Sequence, residues 1–286
     1  MPPTLDHIVL LVPHNVLQAL PAWLTDALTV TPGGQHAGGV TENQLVLFQD
    51  GVYIEIIAFV GGSGSDEEDH ARRKSHRWGG QPDGHIIDWA IGLAGAVTPE
   101  DADKEFRQTQ KAVGAAGAGL AYKDLVAGGR TTPDGVVLQW ATASPAAVSG
   151  ESDSPHEITG TLPFWCIDRT GRQLRVPYAT RPELARHPSA AVGVASVTLH
   201  VADAGLLDRL RRVYAVLFGT SETDDEWVLA VPETPASGKL PRLRIAHSET
   251  GQKIELALFT TGPAQTVGGY FVEGWRVDIQ LVHVDG

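Results

Sequence analysis

In TLDHIVLLVP, residues 4–13, the imidazole of His7 follows the carboxylate of Asp6 where an apolar run begins. Such a histidine is either a metal ligand or a polar residue tolerated at the edge of a strand, and the partners brought to it decide which. Glu55 interrupts a second apolar run, VYIEIIAF, and is either a working carboxylate or a group facing solvent from a half-buried strand. Arg130 lies in GGRTTPDGVVLQW. A guanidinium at a strand entrance can clamp a carboxylate or enolate through two parallel hydrogen bonds, and a structural bond to Asp134 or Asp168 is the open alternative. The lone cysteine, Cys166, sits in FWCID, the setting of a buried strand thiol. Asn43 and Gln139 are polar residues in strand-like runs, able to orient a ligand or to face water. Trp78, Trp89, Trp140 and Trp165 would make a flat apolar pocket for an aromatic or polyketide-like ligand if they share an inward face, and otherwise they are core.

The remaining histidines at turns or in polar loops, His14, His36, His70, His76, His156, His187 and His247, receive no ligand role. Zinc signatures of the HExxH type, a GxSxG nucleophile elbow and a phosphate loop are all missing. VGAAGAG at residues 113–119 follows a helical pattern rather than a strand, the wrong context for a dinucleotide fingerprint.

The elements that must position these groups form a soluble, folded chain. Its 286 residues, 42% hydrophobic, suffice for one large domain or two ordinary ones. A net charge of -12 excludes nucleic acid and acidic membrane surfaces as partners, because binding phosphate takes a concentrated basic face. One cysteine rules out an intramolecular disulfide. No basic segment leads into a secretory core, and no run approaches the roughly 18–20 apolar residues of a membrane span, so a cytosolic location is expected.

Hydrophobic periodicity gives a β-α-β-β-β order for the first block: LDHIVLLV, the helix LQALPAWLTDAL with Pro21 in its first turn, a short strand near residues 28–31, then NQLVLF and VYIEIIAF around the turn at Asp50 and Gly51. The plan recurs as HIIDWAIGL, PEDADKEFRQTQKAVGAAG, VVLQWATAS and LPFWCIDR. It recurs again after Pro188 as VGVASVTLHVAD, AGLLDRLRRVYAVLFG, EWVLAV, LPRLRIAH and QKIELALF. Three related modules are expected, two in residues 1–180 and a third in 189–286. Aligning VYIEIIAF on QKIELALF sets Glu55 opposite Glu255, and aligning the first strands sets His7 opposite Ser196. Residues 61–84 and 149–160 read as surface loops, and 181–188 as a separator.

In this order LDHIVLLVP, TPGG, NQLVLF, DGVYIEIIAF, HRWG, GGRTTPDG and LPFWCIDR resemble the glyoxalase-like domain family of the vicinal oxygen chelate superfamily, over residues 5–169 and more loosely through the third module. The resemblance implies an α+β fold in which paired β-α-β-β-β modules form curved mixed sheets around a cup. It also implies a divalent metal, zinc, iron or manganese, held by His7 and Glu55 from the first module. His85 is the implied second-module ligand, with Asp88 as the alternative, and the fourth position falls near Phe164, Trp165 or Cys166, with Asp168 farther along. Glu55 and Arg130 are then the catalytic candidates, and Asn43, Trp89, Arg130, Trp140 and Phe164 the substrate-binding ones. The function implied is a lyase, isomerase or dioxygenase acting on a small organic molecule, or else a metal-free protein that binds one. The third module either pairs with another chain to make a homodimer or serves as a brace.

Overall fold

The computed structural model describes residues 3–61, 65–93, 95, 98–132, 134–148, 158–221, 223, 225–235 and 237–285. The first block runs β1 (Thr4–Leu11), α1 (His14–Gln18), α2 (Ala22–Thr25), β2 (Thr31–Gln35), β3 (Thr41–Leu47) and β4 (Tyr53–Phe59). The second follows α3 (Asp66–Ser75) and runs β5 (His85–Gly92), α4 (Pro99–Ala115), β6 (Leu120–Tyr122), β7 (Val126–Thr131), β8 (Val137–Ala143), β9 (Pro145–Ala147), β10 (Phe164–Asp168) and α5 (Arg172–Arg175). The rest is β11 (Ala191–Val201), α6 (Ala204–Phe218), β12 (Glu226–Val228), β13 (Arg242–His247), β14 (Lys253–Thr260), β15 (Gln265–Val272) and β16 (Trp275–His283).

The fold is mixed α+β, built on two curved mixed sheets. The larger has the order β2-β3-β4-β1-β5-β10-β8-β7, with β1 parallel to β4 and antiparallel to β5. Strand β1 is buried at every position, which is why it reads as a nearly continuous apolar run. One face of this sheet packs on the main core with Leu5, Ile54, Trp89 and Trp165, together with Phe106 of α4. The other face carries Val9, Leu11, Ile57, Ala90, Phe164 and Cys166.

Local chemistry explains two departures from the expected elements. Pro21 stands at the N-cap of α2, so the first helical segment is two short helices instead of one. Within the charged stretch expected as a loop, Ser65 and Glu68 form a reciprocal capping box that starts the polar helix α3. The loop expected at 149–160 lies mostly outside the described residues.

The C-terminal strands depart further. The smaller sheet, β12-β13-β11-β14-β16-β15, repeats the inner six strands of the larger one, β3-β4-β1-β5-β10-β8, in order and in every strand direction. Even an irregularity recurs: the register shift between Leu5 and His7 in the β1/β5 pair reappears between Val194 and Ser196 in the β11/β14 pair. Thus Ser196 does occupy the place of His7. The alignment of Glu255 on Glu55, in contrast, needs correction, because β14 corresponds to β5 and not to β4. Glu255 lies opposite Thr198 as Asp88 lies opposite Val9, and the residue in the place of Glu55 is Arg244. An amphipathic strand does not announce whether its neighbour runs parallel or antiparallel, so periodicity could not separate β4-like from β5-like strands.

Candidate functional site

The concave face of the larger sheet encloses a cavity of about 260 Å³. His7 reaches it from β1, and Tyr53 and Glu55 from β4. His36 and Asn43 come from the β2-β3 hairpin, Arg130 from β7, Trp140 from β8, and Phe164 and Cys166 from β10. His76, Arg77 and Trp78, the HRW of the loop after α3, form the rim.

His7 is 3% exposed and Glu55 5% exposed. The Nδ1 of His7 lies 2.6 Å from Asp6 Oδ1, and its Nε2 lies 3.6 Å from Glu55 Oε2. Tyr53 stacks on the His7 ring at 4.7 Å between centroids, and Phe164 meets it edge-on at 5.3 Å. On the other side of the Glu55 carboxylate, Asn43 Nδ2 donates to Oε1 at 2.5 Å, and His36 Nε2 lies 3.5 Å from the same oxygen. His36 Nδ1 is in turn 2.8 Å from Thr41 Oγ1. Burial alone would raise the pKa of Glu55, but His36, His7, the Asn43 amide and Arg130 together hold it below its ordinary value. For His36 burial prevails over the nearby carboxylate and lowers the pKa.

Asp6 is the hidden support. It accepts from Arg175 Nη1 and Nη2 at 3.0 Å each, and from Arg172. Asp168 completes the cluster, accepting Arg175 Nε at 2.7 Å, while Arg175 also donates to the Tyr53 hydroxyl at 2.6 Å. Burial opposes ionisation of Asp6, yet the two guanidiniums and His7 outweigh it and hold its pKa well below the ordinary carboxylate value. An ionised Asp6 can only accept, so His7 Nδ1 carries the proton and Nε2 turns to the cup. This is the arrangement by which an outer carboxylate fixes a ligating histidine.

Five of the sequence candidates therefore line one cavity beside His7: Asn43, Glu55, Arg130, Trp140 and Phe164. Two do not. His85 lies at the start of β5 opposite Leu11, with Nδ1 on the Asp83 carbonyl at 3.0 Å and its ring packed on Trp275. Trp89 points to the opposite side of the sheet, where Nε1 donates to the Gly160 carbonyl at 3.1 Å. Successive strand residues alternate faces, so Ala90 turns to the cup and its neighbour Trp89 to the core. Asp88 is engaged by Trp78 Nε1 and Arg77. Arg130 donates to the Gly33 carbonyl, and no ion pair to Asp134 or Asp168 occurs among the described residues.

The second half of the cup matches the first in backbone but not in chemistry. In the β1/β4 pair His7 lies opposite Tyr53, with Glu55 two residues on; in the β5/β10 pair Ala90 lies opposite Phe164, with Cys166 two residues on. Ala90 and Cys166 thus stand where a second histidine and glutamate would. Burial pushes the Cys166 thiol far up, so it is no ready thiolate. Asp6, His7 and Cys166 do have donor atoms within 4.8 Å of one another. In that trio, however, Asp6 is already neutralised by two arginines. Glu55 is flanked by His7 at Oε2 and His36 at Oε1, an imidazole-carboxylate chemistry that suits a divalent ion.

Several of these residues escaped the sequence reading. His36 follows TPGG in a polar hairpin with no apolar periodicity around it, and only the register of β2 against β3 aims it inward. Arg175 lies 169 positions from Asp6, and no local pattern predicts that pairing.

A glyoxalase-like domain model matches residues 5–218. No match is found among curated proteins. Among solved structures, a hypothetical protein from Staphylococcus aureus aligns over 99% of this chain and 100% of its own, with a TM-score of 0.64 and 13% identity. A 2,2',3-trihydroxybiphenyl 1,2-dioxygenase from Sphingomonas wittichii covers 100% of this chain and 97% of its own at 11% identity and a TM-score of 0.41. A halotolerant catechol dioxygenase covers 100% and 89% at 10% identity and a TM-score of 0.42. With the family model spanning both halves of the cup, the chain belongs to the glyoxalase-like domain family.

Proposed function

We propose that the cup is the active site of a metal-dependent lyase, isomerase or dioxygenase acting on a small, oxygen-rich organic molecule, with His7, Glu55 and His36 as the residues that would hold zinc, iron or manganese. The supporting observation is the 3.6 Å gap between His7 Nε2 and Glu55 Oε2, with His7 Nδ1 tied to an ionised carboxylate. A lone pair and a carboxylate oxygen that face each other at this distance in a buried site call for a cation or a proton between them. A divalent ion bound there would polarise a carbonyl or stabilise an enolate as a Lewis acid.

The chain's own groups define the rest of the chemistry. Glu55, kept ionised at neutral pH, accepts a proton from the substrate. Arg130, 6% exposed, is placed to hold an anionic oxygen. Trp140, Trp78 and Phe164 offer flat apolar walls that exclude water and suit a planar ligand. Among the described residues no helix is long and apolar enough to cross a membrane.

Ala90 and Cys166, in the places of the second ligand pair, favour a second reading, a metal-free protein that sequesters the same kind of molecule. The two separate in one experiment. Catechols and α-hydroxycarbonyl compounds are incubated with the protein plus Zn²⁺, Mn²⁺ or Fe²⁺, beside Glu55→Gln and His7→Ala. Turnover lost in both variants supports the enzyme; ligand binding that persists in both, with no turnover by any form, supports the binding protein.

A further inference from the structure

The face of the smaller sheet that corresponds to the cup has Ser196 and Arg244 where the first cup has His7 and Glu55. On the rim of the first cup, His76 makes a contact that fixes the state of its ring. Helix α3 stops at Ser75, and His76 caps it in an extended conformation, φ -80° and ψ 145°, with its N–H on the Arg73 carbonyl. Arg73 in turn holds the following turn, donating to the carbonyls of Gly79 and Gln81 and pairing with Asp83 at 3.1 Å. So positioned, the His76 ring lines the cavity, meeting Phe59 edge-on at 5.3 Å between centroids and Trp78 at the same distance.

The backbone N–H of Trp78 donates to His76 Nδ1 at 3.2 Å. A backbone N–H can only donate, so Nδ1 holds a lone pair and the proton of the neutral ring sits on Nε2. Burial, Arg77 and His36 together outweigh Glu55 and lower the pKa of the ring to about 4, in keeping with a neutral imidazole at pH 7. A protonated Nε2 is no metal ligand. It is a donor, and among the described residues it has no acceptor. Its surroundings narrow what that acceptor is. Arg77 is committed elsewhere, with Nη2 on Asp88 at 2.6 Å, Nη1 on Ser144 Oγ at 3.2 Å and its Cζ over the Phe164 and Trp78 rings at 3.7 and 4.3 Å. An anionic oxygen is better served by the guanidinium of Arg130, which lines the same cavity. A hydroxyl would bring a proton of its own to a rim walled by Phe59 and Trp78, where leaving it unpaired is costly. An uncharged oxygen that only accepts, a carbonyl, matches a neutral N–H without either conflict.

We propose that His76 is a specificity-determining residue of the first cup, its Nε2–H donating to an uncharged carbonyl oxygen of the ligand. The inference rests on the first cup being the ligand site, which both readings of function share, and stands whether or not that cup holds a metal.

The probes are 3,4-dihydroxyacetophenone and 4-ethylcatechol, the same ring and hydroxyls with a carbonyl in one where the other has a methylene. Titrated calorimetrically into the full-length protein in EDTA and again with Zn²⁺, the ketone should bind about three- to tenfold more tightly, the worth of one neutral hydrogen bond. His76→Phe keeps a ring against Phe59 and Trp78; it should remove that preference and leave the affinity for 4-ethylcatechol within about twofold. His76→Gln, whose amide can accept from Trp78 and donate to the ligand, should keep part of the preference. Nitrogen NMR of histidine-labelled protein at pH 7, with the His76 signals assigned by their loss in His76→Phe, should show Nδ1 unprotonated. A protonated Nδ1 overturns the proposal. So does a carbonyl preference that is absent both in EDTA and with Zn²⁺, or that persists in His76→Phe. Failure of both probes to bind, or an equal loss of both in His76→Phe, overturns it as well. The metal reading is judged separately, by turnover, so either can fail alone.

Discussion

Replacing Asp6 by asparagine tests whether the support behind His7 is an ion cluster or mere packing. Asp6 is 1% exposed and faces Arg172 and Arg175, with Asp168 as the second carboxylate, so two positive and two negative groups balance. Asp6→Asn keeps the shape but leaves one positive charge in excess around Arg175, whose side chain is 4% exposed. Removing one partner of a buried pair costs about 3–5 kcal/mol. At about 2–4 °C per kcal/mol for a chain of this order, the melting temperature should fall by roughly 6–20 °C. Adding Arg172→Met restores neutrality and should return part of the loss, a coupling that a double-mutant cycle measures. The sign of the pH dependence follows from the depressed pKa of Asp6. The folded state holds the carboxylate ionised below its unfolded value, so its contribution is complete above about pH 4 and is lost as pH falls further. The gap between wild type and Asp6→Asn in urea unfolding should therefore be constant from pH 8 to pH 5 and close below about pH 4. A fall of less than about 2 °C, or a gap that closes near neutrality, would refute the charge argument.

Other consequences are simpler. Asp50 accepts backbone N–H bonds from Val52 and Val194, and burial raises its pKa to about 6. A folded pKa above the unfolded one means that this contribution is present below about pH 4 and lost as pH rises through about 6, a span of up to about 3 kcal/mol; the difference in unfolding free energy from Asp50→Asn should show that slope. At Gly33 a Cβ would lie 1.9 Å from Asn43 Oδ1 and 2.7 Å from its carbonyl oxygen, so Gly33→Ala should destabilise by about 1–3 kcal/mol and loosen Asn43 from Glu55, read as weaker ligand binding in the first cup. Arg130→Met should weaken an acidic ligand of that cup by about 1.5–3 kcal/mol in calorimetric titration with little change in melting temperature; a large loss of stability would make Arg130 structural, through its bond to the Gly33 carbonyl.

The scaffold was legible where the signal is local. Apolar runs gave β1, β4 and β5, and a proline with acids behind it gave the start of α4 at Pro99. His7 and Glu55 were legible because each interrupts such a run, and adjacent parallel strands bring them together. Placement that depends on register was not. A bulge decides which residues of β5 face the cup, and so excludes Trp89 and admits Ala90. His85 begins the same strand but lies beyond the cup's reach, beside Trp275 of β16. The charged supports were hidden for a different reason: Arg172 and Arg175 lie in a short polar helix whose sequence resembles a surface turn until Asp6 and Asp168 are set beside it.

The measurement that bears most directly on the first cup is the metal content of protein purified without chelator, with His7→Ala and Glu55→Ala alongside. About one divalent ion per chain in the wild type, lost from both variants while their folds stay intact, is the outcome expected from an imidazole and a carboxylate facing each other in a buried cup. A wild type that carries no metal, with ligand binding or turnover that survives both substitutions, would contradict it.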